Sequence, residues 1–119
     1  MSQKKHEAIV EILSDYEKLA NMVLSQLDEV KKLVSTTGQL PEKAQLKDLK
    51  ENELKINKLE VKISEKIINS IALYQPVASE IRNLIACYRI VISLERIGDL
   101  SISIAKQLSR IENQEELIH

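Results

Sequence analysis

Only two places along this chain can bring a helix to a stop. One is Ser35-Thr36-Thr37-Gly38, followed closely by Pro41. The other is Gln75-Pro76, where the residue ahead of the proline is pushed out of the α region. Gly and Pro number 2 each, far too few for the turns of a β-sandwich or barrel. Between the breaks, apolar residues recur at helical spacing, as in Ile9, Ile12, Leu13, Tyr16, Leu19, Val23, Leu24, Leu27 and Val30. The pattern predicts helices over about 3–34, 42–74 and 77–112. Gly38 is expected to cap the first, Pro41 to open the second, and Asn113 to His119 to fray. Residues 1–119 then form one all-α domain, an up-down-up three-helix bundle.

Composition removes several function classes. Lys+Arg 17 against Asp+Glu 18 leaves a net charge of -1, with no Trp or Phe on which bases could stack. Nothing therefore calls for nucleic acid. The single Cys87 excludes an internal disulfide and suits a reducing compartment. No stretch approaches the roughly 18 apolar residues of a membrane span, and the charged N-terminus lacks an apolar signal region. A soluble, cytoplasmic protein without direct membrane insertion is expected.

Acidic residues interrupt two apolar faces. In the third segment Ile81, Ile85, Tyr88 and Ile92 give way to Glu95 and Asp99 before Ile102. In the second, Leu46, Leu49, Ile67 and Ile71 enclose Glu53, Asn57, Glu60 and Ser64. Carboxylates on a packing face must be paired, neutralised or coordinated. Residues i and i+4 are about 6 Å apart along a helix axis, so Glu95 and Asp99 can reach one centre. Oxygen donors without His or Cys favour Mg²⁺, Ca²⁺, Mn²⁺ or an oxo-bridged iron cluster. The alternative is that these acids face water at the edge of the stripe. His6 and His119 lie at the chain ends, which argues against a Glu-x-x-His di-iron site.

Other features of the third segment have two readings each. Arg82, Arg89, Arg96 and Arg110 form a row that either contacts an anion or a partner's carboxylates, or is a solvated face. Gly98 either admits close approach of a backbone or ligand, or is simply tolerated. Cys87 falls on an apolar stretch and reads as a small core residue. No Ser or Cys has a His partner, so the chain is not expected to be an enzyme. Ile90, Ile97 and Ile104 recur every seven residues on a second arc, predicting a homodimer interface.

Three stretches resemble the PhoU family. Ile56-Asn57-Lys58-Leu59-Glu60, led by Glu53, is similar to its helix-two motif. Gln75-Pro76-Val77-Ala78-Ser79-Glu80-Ile81-Arg82 is similar to its QPxAxDLR turn, and Leu94-Glu95-Arg96-Ile97-Gly98-Asp99 to its LERIGD signature. The resemblance covers about Glu53 to Lys106. It implies a three-helix repeat that restrains phosphate import and phosphate-starvation signalling. The implied partners are the phosphate transporter's ATPase subunit and a sensor kinase. It also implies a divalent cation or iron cluster on Glu53, Asn57, Glu60, Glu95 and Asp99. Two departures stand out. Typical members carry two repeats where this chain carries one, and the residue after the signature aspartate, often His, is Leu100. A lone repeat is also similar to the soluble regulatory domain of certain sodium–phosphate cotransporters, and a purely structural helical adaptor is a further alternative.

Overall fold

The computed structural model describes residues 2–35 and 43–118, without the side chains of residues 2, 109 and 111–118. Every described element is a helix: α1 (Ser2–Ser35), α2 (Lys43–Tyr74) and α3 (Ala78–Ile118). Gly38 and Pro41 lie outside the described residues, as does His119. Helix α3 runs to Ile118, past the expected boundary near residue 112. No breaker follows Pro76 that would end it sooner.

Each helix packs against both others in a rod of 67 × 20 × 18 Å. Asp15–Lys66 and Gln26–Asn52 pair α1 with α2 in opposite senses. Lys5–Glu80 and Gln26–Ser101 pair α1 with α3 in the same sense. The topology is therefore up-down-up.

The break between α2 and α3 is built from local chemistry. Gln75 adopts φ 42°, a left-handed conformation that turns the chain out of α2 before Pro76. Val77 N donates to Glu80 Oε1 at 3.0 Å, half of a capping box that satisfies an orphan amide at the start of α3. Lys5 Nζ donates to the same oxygen at 3.0 Å. The Val77 amide first, and Lys5 next, hold the Glu80 carboxyl below the ordinary carboxylate range.

The core is aliphatic and divided. Ile12, Leu19, Val23, Ile56, Ile63, Ile67 and Val91 belong to one cluster, and Val30, Leu49, Ile102 and Ala105 to a second. Between them lies a buried polar layer. Gln26 Nε2 donates to Gly98 O and Ser101 Oγ, both at 2.9 Å, and Gln26 Oε1 accepts from Asn52 Nδ2 at 2.9 Å. Ser101 Oγ donates to Gly98 O at 2.7 Å. One side chain on α1 thereby fixes the axial position of α2 and α3, as a polar residue in a coiled-coil seam fixes register.

Three sequence-based face assignments need correction. On α3 the innermost line is Leu84, Val91, Gly98 and Ala105, whereas Ile85 is 42% exposed and Ile81, Tyr88 and Ile92 are only half-buried. Helix α3 is flanked by α1 and α2 together, so its deepest line points between them, not along the α2-facing isoleucines. On α2 the stripe is not interrupted, because Ile56, Leu59 and Ile63 continue it beside the acids. On α1, Leu13, Leu24 and Leu27 are exposed, and Gln26 occupies the core position.

Candidate functional site

The acidic residues of α2 and α3 do meet. Glu53, Asn57 and Glu60 lie along α2, and Glu95 and Asp99 along α3, all half-buried where the two helices adjoin. Asp99 is the hub. Its side chain hydrogen-bonds the carboxyl of Glu53 across the interface and that of Glu95 one turn back on α3. Burial, then the Asp99 hydrogen bond and charge, push the Glu53 carboxyl up, against the opposing pull of Lys106 and Lys50. The Asp99 hydrogen bond, then burial, then the charges of Asp99, Glu60 and Glu53 push the Glu95 carboxyl up. Glu60 accepts a 3.4 Å hydrogen bond from Ser64 Oγ. The four acids thus form one electrostatically coupled seam.

The family resemblance implies a metal here, and the donor chemistry suits a hard cation. Only oxygen donors line the seam. Asn57 Oδ1 is buried without a hydrogen-bond partner among the described residues, an orphan acceptor of the kind that calls for an explanation. Among the described residues, no three His, Cys, Asp or Glu side chains stand close enough as they are to enclose an ion.

The remaining sequence-predicted residues fall elsewhere. Arg82, Arg89, Arg96 and Arg110 are exposed. Among the described residues no ion pair joins that row to Glu95 or Asp99. Ile90, Ile97 and Ile104 are exposed on the α1 side of α3, so α1 does not cover them. Cys87 is half-buried beside Ile12 and Leu84, where burial pushes its thiol up and leaves it a poor nucleophile. A Cβ on Gly98 would meet Gln26 Nε2 at 3.7 Å and Ile56 Cγ2 at 4.0 Å, both ordinary contacts. The residues missed from sequence are Gln26, Asn52 and Ser101. Gln26 was findable, since it lies seven residues after Leu19 and falls between Val23 and Val30 on the core line.

No helix among the described residues is long and apolar enough to cross a membrane. Comparison with known proteins identifies a single domain. The PhoU domain model matches residues 16–108, a span that includes the whole acidic seam and the Gln26 layer. A phosphate-specific transport system accessory protein PhoU homolog of Pseudomonas putida is 31% identical over 108 residues, 90% of this chain and 40% of that protein. Its namesake in Clostridium acetobutylicum is 38% identical over 60 residues, 50% of this chain and 27% of the relative. The one in Aquifex aeolicus is 46% identical over 52 residues, 44% and 24% respectively. The chain thus spans between a quarter and two fifths of the curated relatives it matches. No solved structure matches significantly. With the three-helix bundle, the acidic seam and the domain match over 16–108 all in agreement, this chain belongs to the PhoU family.

Proposed function

We propose that this chain is a regulatory module of phosphate transport that acts by contact with other proteins and carries out no reaction of its own. The observation that carries the reading is the PhoU domain match over residues 16–108, joined to relatives whose names describe phosphate-specific transport accessory proteins. The transporter's ATPase subunit and a phosphate-sensing kinase are the partners this reading assigns, and the cytoplasm is where both would be met. Glu53, Asn57, Glu60, Glu95 and Asp99 are the residues that would hold a hard cation. Such an ion would supply positive charge among these mutually repelling acids. Self-association into a homodimer is part of the same reading, supported by exposed Ile90, Ile97 and Ile104.

A deletion strain tests the regulatory role. Phosphate uptake and phosphate-starvation genes should be raised under phosphate-replete growth, and normal levels of both would overturn it. Metal binding is read separately from melting temperature. Excess Mn²⁺, Mg²⁺ or iron should raise it relative to chelator, since the unfolded chain offers no comparable site. The joint replacement Glu95→Ala and Asp99→Ala should abolish the increase. An unchanged melting temperature in the parent chain would reject the cation while leaving the regulatory role standing.

A further inference from the structure

The first three turns of α1 are seated differently from the rest of the helix. From Gln3 to Glu11 no residue is buried, and Ile12, 1% exposed, is the first described side chain of α1 to enter the core. Further along, Leu19, Val23, Gln26 and Val30 are all buried. Voids flank the early stretch on both sides. Toward α3, a cavity of about 420 Å³ opens among Ile9, Leu13, Leu84 and Cys87. Toward α2, a smaller one of about 120 Å³ opens among Ala8, Ser70, Leu73 and Tyr74. Atoms lining a void lack packing partners on that side.

Charge stands in for packing here. Lys5 Nζ meets Glu80 Oε1 of α3 at 3.0 Å. Asp15 Oδ2 meets Lys66 Nζ of α2 at 2.7 Å and Lys62 Nζ at 3.8 Å, and Glu11 shares Lys66. Solvent-facing pairs of this kind are individually weak and are screened by salt. The PhoU domain match begins at Tyr16, so the whole stretch lies ahead of the matched span.

We infer that residues 3–15 form a strap, a segment of α1 that lifts as one unit from the groove between α2 and α3 while α1 beyond Tyr16 stays docked. Little buried apolar area and solvent-facing polar contacts place a segment at the low-stability end of a structure. The hinge falls between Asp15 and Leu19. Leu19 is 0% exposed, and with the Gln26 layer it anchors the remainder of the helix. Lifting withdraws Ile12 from the core, uncovers Leu84 and Cys87, and frees Lys62 and Lys66 along the α2 edge. The groove is thus apolar with a basic edge. The strap, apolar at Ile9 and Ile12 and acidic at Glu11 and Asp15, is the occupant that fits it.

Native-state hydrogen exchange of the 119-residue chain tests the strap. After correction for intrinsic rates, the amides of Glu7 to Asp15 should share one rate, at least about tenfold faster than those of Leu19 to Val30. Raising salt tenfold should speed the first set about threefold and leave the second unchanged. Lys66→Gln at low salt should do the same, and Lys5→Gln should act in the same direction through Glu80. Labelling of the Cys87 thiol should quicken in step with the strap amides. Equal protection of the two sets would overturn the strap. Protection that climbs smoothly from Glu7 to Asp15 would overturn the single unit in favour of end fraying. Rates indifferent to salt and to both substitutions would overturn the ionic hold. A Cys87 labelling rate that ignores Lys66→Gln would overturn the uncovering of the groove.

Discussion

Gln26 reaches from α1 to α3 and donates from Nε2 to the carbonyl of Gly98 at 2.9 Å. That carbonyl also accepts from Ser101 Oγ, while the Gln26 carbonyl oxygen is held by Asn52 on α2. With Gln26 only 1% exposed, these partners replace the water it has lost. The layer also divides the two apolar clusters, so a slip of any helix along its axis would break several hydrogen bonds at once.

Gln26→Ala is accordingly expected to lower stability by about 2–4 kcal/mol, through a cavity and through polar groups left without their partner. Urea unfolding followed by circular dichroism measures it. A loss below about 0.5 kcal/mol would mean that water replaces the amide without cost.

Gly98→Ala is expected to raise stability by up to about 1 kcal/mol. Glycine inside a helix is disfavoured by roughly that amount, and the added Cβ would be in ordinary contact at 3.7 Å from Gln26 Nε2. A shift of the urea midpoint to higher concentration at unchanged slope is the expected result. A loss of stability would show that the Gln26 amide cannot hold its position beside a methyl group.

Gln75→Gly is expected to stabilise by about 0.5–1 kcal/mol. Gln75 holds φ 42°, which costs an L side chain about 1 kcal/mol or more and costs glycine almost nothing. Glycine's freer unfolded chain offsets part of the gain. Thermal unfolding of the variant beside the parent chain checks the sign.

The acidic seam makes stability depend on pH in a defined direction. Glu53 and Glu95 hold protons more tightly when folded than when unfolded. From the ordinary carboxyl pKa up to their raised values, the native chain binds more protons than the unfolded one, so their contribution to stability falls as pH rises. Below the ordinary value both states are protonated and the contribution is complete. Glu80, held below the ordinary range, acts in the opposite sense. The seam is therefore read as a difference in chelator: going from pH 7.5 to 5, the parent chain should gain melting temperature relative to Asp99→Asn. Parallel curves would show that Asp99 does not couple the two glutamates.

Several features of this protein were already legible in its amino-acid order. Gln75-Pro76 marks the α2–α3 break because a residue before proline avoids the α region, and helical periodicity on either side needs no tertiary information. The convergence of Glu53, Glu60, Glu95 and Asp99 was legible too. Acids at helical spacing beside two apolar stripes lie near the seam where those helices adjoin, although spacing alone also allowed them to face water. The rotation of each helix about its own axis was a tertiary decision. Leu13, Leu24 and Ile85 share helical spacing with the core yet face water, while Gln26 and Gly98 lie inside. A helix that is apolar over more than one arc satisfies periodicity at several rotations. Contact with two neighbours at once, and the hydrogen bonds that Gln26 can complete in only one of those rotations, select among them.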